Sequence, residues 1–176
     1  MAKKDMLIQA EPLTRRKPEA TLFERVQEFL VEQEWEFRSN EERGYFAFHL
    51  RLRDGSVKVI IDVSEIENWS RVMVYVIYPT VAPELKRTEV AEAIARINYT
   101  YLVGQLEIDL DDGEMRVRSI IESEGYLGDV LIERVLRRAT DMAEEFQAPL
   151  LSIAFGNTKA KDVLALLGRD GQSSLQ

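Results

Sequence analysis

The stretch AIARINYTYLVGQLEIDLDDGEMRVRSIIESEG, Ala93–Gly125, decides the fold. Its first residues, Ala93-Ile94-Ala95-Arg96-Ile97-Asn98-Tyr99, read as the end of a helix. Leu102–Leu110 then reads as a strand, Asp111-Asp112-Gly113 as an acidic turn and Glu114–Glu122 as the returning strand. Asp and Gly tolerate the positive φ that a tight hairpin requires, so these strands pair antiparallel. Gly125 follows and leads into another helix.

The first half of the chain repeats the arrangement of a helix feeding antiparallel strands. Pro18 suits a first helical turn and Glu19 suits the positive end of the helix dipole. Leu22, Phe23, Val26, Phe29 and Leu30 form one apolar stripe on a helix that runs to about Gln33. From Trp35 the period changes to two, with Trp35 and Phe37 alternating against Glu34, Glu36 and Arg38. Asn40–Gly44 is a turn and Tyr45–Arg53 a strand, with His49 on its polar side. Asp54-Gly55 is a hairpin signal, and Val57–Val63 returns. Ser64–Asn68 connects to a strand over Trp69–Tyr78, apolar on both faces; such a strand is central or covered on its second face as well. Pro79 and Pro83 end it. A second helix spans about Glu84–Tyr99, with Val90, Ile94 and Ile97 along one side.

Asp129 is the expected N-cap of a third helix, whose stripe is Val130, Leu131, Val135, Ala139, Met142 and Phe146. Pro149 is expected to interrupt or kink it, with Leu150–Phe155 continuing as helix or as a short strand. Thr158 is the expected cap of a last helix over Lys159–Leu167, closed by Gly168. The element order is therefore α-β-β-β-β-α-β-β-α-α. Short turns between adjacent strands imply an antiparallel sheet packed with helices, an α+β fold. Residues 1–17 read as a flexible basic arm, 18–168 as a single domain and 169–176 as a flexible tail.

The chain has 176 residues, enough for one domain with a real core. Its 23 Lys and Arg stand against 31 Asp and Glu, for a net charge of -8. A field of that sign opposes phosphate backbones, so no nucleic-acid partner is expected. There is no cysteine, hence no disulfide framework and no thiolate chemistry. No apolar run approaches the roughly 18–20 residues that span a bilayer, and Met6-Leu7-Ile8 is too short for a signal-peptide core. A cytoplasmic protein without a membrane partner is the expectation.

Few residues carry chemistry. His49 is the sole histidine, and no nucleophile-elbow sequence such as Gly-x-Ser-x-Gly accompanies it. The acids Glu107, Asp109, Asp111, Asp112 and Glu114 suggest a calcium loop. An EF-hand, however, needs oxygen ligands where this chain has Ile108 and Leu110, so the turn reading stands instead. No glycine-rich phosphate loop exists, and neither a catalytic residue nor a cofactor is assigned. What remains is apolar and aromatic surface. Trp69, Tyr75 and Tyr78 on the central strand are candidate interface residues. Val90, Ile94 and Ile97 on the second helix are a candidate dimer surface, with core packing as the competing explanation.

The helix end Ile97-Asn98, the Asp111-Asp112-Gly113 turn, the strand to Ile121-Glu122, Gly125 and the helix ending in Ala148-Pro149-Leu150 together resemble the YbjN family over roughly Pro18–Phe155. The resemblance implies the fold of type III secretion chaperones. It also implies a non-enzymatic, often dimeric protein-binding module, whose relatives are described as sensory-transduction regulators. It supplies no catalytic residues. The basic arm and the added Thr158–Leu167 helix depart from the simplest family pattern. The leading expectation is a chaperone-like or regulatory module that binds a protein client or a second copy of itself, the client lying on an apolar face or edge of the sheet. The alternative is a small-molecule sensor with a pocket between sheet and helices lined by Trp69, Tyr75 and Tyr99. A hydrolase working through carboxylates alone is the third.

Overall fold

A computed structural model of the chain describes residues 20–101 and 104–167. Helix α1 spans Leu22–Glu32. Strands β1 (Arg38–Asn40), β2 (Tyr45–Leu52), β3 (Gly55–Ile66) and β4 (Trp69–Ile77) follow, and a 3-10 turn at Glu84–Lys86 leads into α2, Arg87–Thr100. Strands β5 (Gln105–Ile108) and β6 (Met115–Glu124) precede α3, Asp129–Ala154. All neighbouring strands pair antiparallel in one six-stranded sheet of order β1-β2-β3-β4-β6-β5. The fold is α+β, as the alternating periods predict, with β6 inserted between β4 and β5. The proposed arm (residues 1–17) and tail (169–176) lie outside the described residues, as do Pro18, Glu19, Leu102 and Gly168.

The helices occupy one face of the sheet. Helix α3 lies over β4 and β6, α2 over β5 and α1 over β3. Side chains on that face form the core: Phe46 and Phe48 from β2, Val57, Val59 and Ile61 from β3, and Val72, Val74 and Val76 from β4 are all buried. Leu22, Val26 and Leu30 of α1 and Leu136, Phe146 and Leu150 of α3 close over them.

Several boundaries differ from expectation, each for a local reason. Helix α1 begins at a capping box: Thr21 Oγ1 accepts from Glu24 N–H at 3.2 Å, and the Glu24 carboxylate accepts from Thr21 N–H at 2.7 Å. Those bonds to Thr21 hold the Glu24 carboxyl below its usual range. Strand β3 runs on to Ile66, because Glu67 adopts a φ of 54° and closes a tight turn to Trp69. Asp129 is not the cap of α3; Gly128 is. The Asp129 carboxylate instead accepts from Arg25 Nε at 2.8 Å and from its Nη2 at 2.6 Å. Arg25 also donates to the Leu127 carbonyl and lies over the Tyr126 ring at 4.2 Å, which ties α1 to the start of α3. Pro149 does not stop α3. The buried residues Phe146, Leu150, Ile153 and Ala154 flank it, and their burial outweighs the roughly 3 kcal/mol that a proline costs in a helix interior. Beyond Thr158, 3-10 turns at Ala160–Asp162 and Ala165–Leu167 replace the expected helix, and no side chain caps the first of them.

The acidic turn between β5 and β6 is held from both sides. Asp109 Oδ1 accepts from Asp111 N–H and Asp112 Oδ1 from Glu114 N–H, both at 2.8 Å, while Arg87 donates to the Leu110 and Asp111 carbonyls. Gly113 has a φ of 86°, and its carbonyl accepts from Ala82 N–H at 2.8 Å. At the outer edge of the sheet the Asn98 amide pairs with one residue of β5: Nδ2 donates to the Leu106 carbonyl at 2.9 Å and Oδ1 accepts from Leu106 N–H at 3.0 Å. One side chain thereby does what a further strand would do there.

Two stability changes follow. Asn98→Asp turns the donor facing the Leu106 carbonyl into an acceptor; it is expected to destabilise by about 1–3 kcal/mol, more than Asn98→Ala, in urea unfolding at neutral pH. Gly113→Ala forces a left-handed alanine and places a Cβ 2.3 Å from the Ala82 carbonyl oxygen. It should lower the melting temperature by more than an alanine at Gly125, where nothing lies within 4 Å, since both carry the same backbone strain.

Candidate functional site

Among the described residues nothing covers the face of the sheet turned away from the helices. Alternation sets its residues: Tyr45, Ala47, His49 and Arg51 on β2; Lys58, Ile60, Asp62 and Ser64 on β3; Trp69, Arg71, Met73, Tyr75 and Ile77 on β4; Arg116, Arg118, Ile120, Glu122 and Glu124 on β6. Its centre is apolar, with Ile60 beside Tyr75 and Met73 beside Ile120 in register. Charged pairs lie around it. Arg71 reaches Asp62 at 3.1 Å, and Glu107 takes both Arg116 at 2.8 Å and Arg118 at 2.7 Å. The Arg116 guanidinium sits 4.8 Å from the Tyr75 ring centroid. Its hydrogen bond to Glu107 holds it charged above the ordinary arginine range, against a smaller desolvation effect.

The residues singled out by sequence divide between the two sides of the sheet. Trp69, 58% exposed, and Tyr75, half-buried beneath Arg116, stand on the open face. Tyr78 does not: it is buried on the helix side, and its hydroxyl donates to the Ala143 carbonyl at 3.0 Å. Burial pushes its phenol well above the usual range. Val90, Ile94 and Ile97 are buried as well, so this side of α2 packs into the core. Tyr99 is 93% exposed on α2, across the sheet from Trp69 and Tyr75, so these three line no common pocket. His49 is exposed on β2 opposite Lys58. Among the described residues no group of three or more His, Asp or Glu is placed to hold a metal ion, and no helix is long and apolar enough to cross a membrane.

A second feature lies at the β2 edge. Only three residues of β1 pair with β2, at Tyr45, Phe46 and Ala47. The chain before them leaves the sheet plane. Glu34 has a φ of 57°, Trp35 packs 5.1 Å from the Phe48 ring, and Phe37 meets Phe46 edge-on at 5.5 Å. These aromatics cover the core instead of extending the sheet. Antiparallel alternation turns the N–H and C=O groups of His49 and Arg51 outward, where no described strand meets them. Beside this edge runs an open groove of about 1160 Å³, lined by Trp35, Phe37, Tyr45, His49, Lys58 and Ile60 among others.

Sequence spacing pointed to neither the β2 edge nor Arg116. The edge depends on how far β1 extends, and a period of two over residues 35–38 gives no sign that the chain leaves the plane. Arg116 was legible in part, because its alternation with Val117 places it on the polar side of β6.

Comparison with curated protein sequences gives no match. Among solved structures, the fold is similar to that in the "Crystal Structure of the ExsC-ExsE Complex": 18% identity, TM-score 0.49, over 73% of this chain and 92% of that one. It is also similar to that in the "Crystal structure of YbjN, a putative transcription regulator from E. coli": 17% identity, TM-score 0.47, over 71% of this chain and 90% of that one. The sequence profile of the YbjN family, described as "Putative bacterial sensory transduction regulator", matches residues 22–152. That span takes in every element from α1 to all but the end of α3, and the chain belongs to the YbjN family.

Proposed function

We propose that the protein is a cytoplasmic, non-enzymatic module that works by binding another protein, as a chaperone or regulator. The client segment lies extended along the free edge of β2. The observation that carries this reading is the outward-facing backbone of His49 and Arg51 beside an aromatic-lined groove. An extended peptide satisfies both residues' donors and acceptors, and its alternate side chains reach Trp35 and Phe37. The regulatory description of the family agrees with such a role. Arg38, Arg43 and Lys58 line the groove together with Glu34, Glu36 and Asp62, so its rim can meet side chains of either charge.

The test is affinity capture from the native cell followed by mass spectrometry, with wild type and Arg51→Pro compared side by side. Proline at residue 51 removes an N–H that points away from the sheet, so thermal stability should stay within about 0.5–1 kcal/mol of wild type. Wild type is expected to retain a defined client that Arg51→Pro loses. The reading is wrong if no client is retained, or if the client binds both proteins equally.

A further inference from the structure

The chain enters the fold at the acidic end of the open face. Leu22, the first residue of α1, donates its N–H to the Glu65 carboxylate at 3.0 Å, so the residues before it join the fold beside the β3–β4 turn. The open-face row at this end runs Ile66, Trp69, Glu124 across three strands. The next row is Ser64, Arg71, Glu122, and the one after it Asp62, Met73, Ile120. Trp69 is 58% and Ile120 47% exposed, though both belong to inner strands. Arg71, the one cation in these rows, is taken by Asp62 at 3.1 Å. Glu122 and Glu124 are exposed and meet no cation within 4 Å among the described residues. Glu67 in the turn is exposed as well. An open groove of about 400 Å³ lies among Ser64, Trp69, Arg71 and Glu122.

Just ahead of Leu22 the sequence holds its sole run of three consecutive cations, Arg15-Arg16-Lys17. We propose that this face is the docking surface of the chain's own N-terminal segment. Arg15-Arg16-Lys17 pair with Glu122 and Glu124, and Met6-Leu7-Ile8 lie over Met73 and Ile120.

Chain length and charge support this occupant together. Lys17 is four residues and Arg15 six residues from the α1 cap, Thr21. At about 3.3–3.6 Å per residue, their Cα atoms stay within roughly 13–22 Å of it. Glu65 is level with Ser70 and Ser123, so with strands about 4.8 Å apart Glu122 and Glu124 lie only about 10 Å across from it. A tether this short holds the cations beside the carboxylates at an effective concentration of about millimolar, which any separate partner has to overcome. Pro18 biases Lys17 to extended backbone, which carries the run away from α1 instead of prolonging the helix. The apolar part fits the same measure. Ile120 lies four residues along β6 from Glu124, about 14 Å, and the seven residues from Arg15 to Ile8 span up to about 25 Å. Exposed ion pairs are screened by salt, so the contact is reversible, and another partner gains this face by displacing the segment. The β2 edge stays free in this arrangement, so the inference does not rest on the client reading.

The chain has no cysteine, so a single spin label can be placed on the full protein. Amide spectra of the isotope-enriched chain, labelled at Thr14→Cys or at Gln9→Cys, test the proposal. The first label is expected to take more than half the signal intensity from Glu122 and Glu124, and the second from Met73 and Ile120. Leu136 and Ala143, beneath the opposite face, should keep theirs. Reversing the acids, Glu122→Lys with Glu124→Lys, should restore the lost signals, as should salt at about 0.5 M. Adding Arg15→Glu, Arg16→Glu and Lys17→Glu to that reversed variant should bring the broadening back. Unmoved core signals report that each variant is folded. Broadening shared equally by the two faces of the sheet overturns the proposal, and so does broadening indifferent to the charge reversal or not recovered in the full swap. Broadening in a mixture of spin-labelled, unenriched chain with unlabelled, enriched chain also overturns it, because a second copy then supplies the segment. Arg51→Pro should leave the broadening unchanged, which separates this outcome from failure at the β2 edge.

Discussion

One strand has to satisfy two different surroundings, and the rest of the structure is arranged around it. On β4, Val72, Val74 and Val76 are fully buried beneath the helix layer, while Arg71, Met73, Tyr75 and Ile77 point to the other side. Burial of a valine-sized side chain stabilises by about 1.5–3 kcal/mol, whereas a surface ion pair contributes about 0–1 kcal/mol. The helix side therefore sets the fold and the register. The salt bridges on the open face follow a register already fixed from below. That face is therefore free to vary its charges without disturbing the register.

The helix layer is joined to the sheet at specific points as well as through its apolar contacts. Arg25 reaches from α1 to Asp129 and Leu127 with its side chain 8% exposed. Tyr78 bonds the Ala143 carbonyl in the middle of α3, and Asn98 and Arg87 join α2 to β5 and to its turn. A buried arginine is costly to desolvate, so its retention is explained by what it positions more than by net stability. Here it fixes the crossing of α1 over α3. Two helices that meet only along apolar surface could otherwise slide.

Much of this was legible in the chain, because the apolar period switches cleanly between helix and strand. The hairpins at Asp54-Gly55 and Asp111-Asp112-Gly113 and the central strand follow from that switch, as do Val135, Ala139, Met142 and Phe146 of the α3 stripe. Val130 of that stripe is exposed, and Ile132 and Leu136 are buried instead. The errors have a common cause. Asp129 and Thr158 are signals for an isolated segment, and each gave way to tertiary contacts: a carboxylate taken by Arg25, and a chain end packed through Ala160 and Val163. The candidate surface suffered from a different gap. The period shows that Tyr75 and Tyr78 lie on opposite sides of a strand, but it does not show which side the helices cover. Likewise, Val90, Ile94 and Ile97 form the same stripe whether they face a sheet or a second copy.

The two edges of the sheet are treated oppositely. The outer edge of β5 is short, and Asn98 occupies the backbone groups of Leu106 as an added strand would. On the other side, β1 covers only the first part of β2, and the residues that could have extended it are turned inward to cover Phe46 and Phe48. If closing both edges were the only constraint, a few more residues of β1 would complete the job. Exposed edges invite aggregation, and here the hazard is limited by exposed His49 and Arg51 on the open stretch. Among the described residues, one edge is thus engaged by a side chain, while the other is left open but charged. The surfaces of this chain thus differ in chemistry: outward-facing backbone at the β2 edge, and a mixed charged and apolar face beside it.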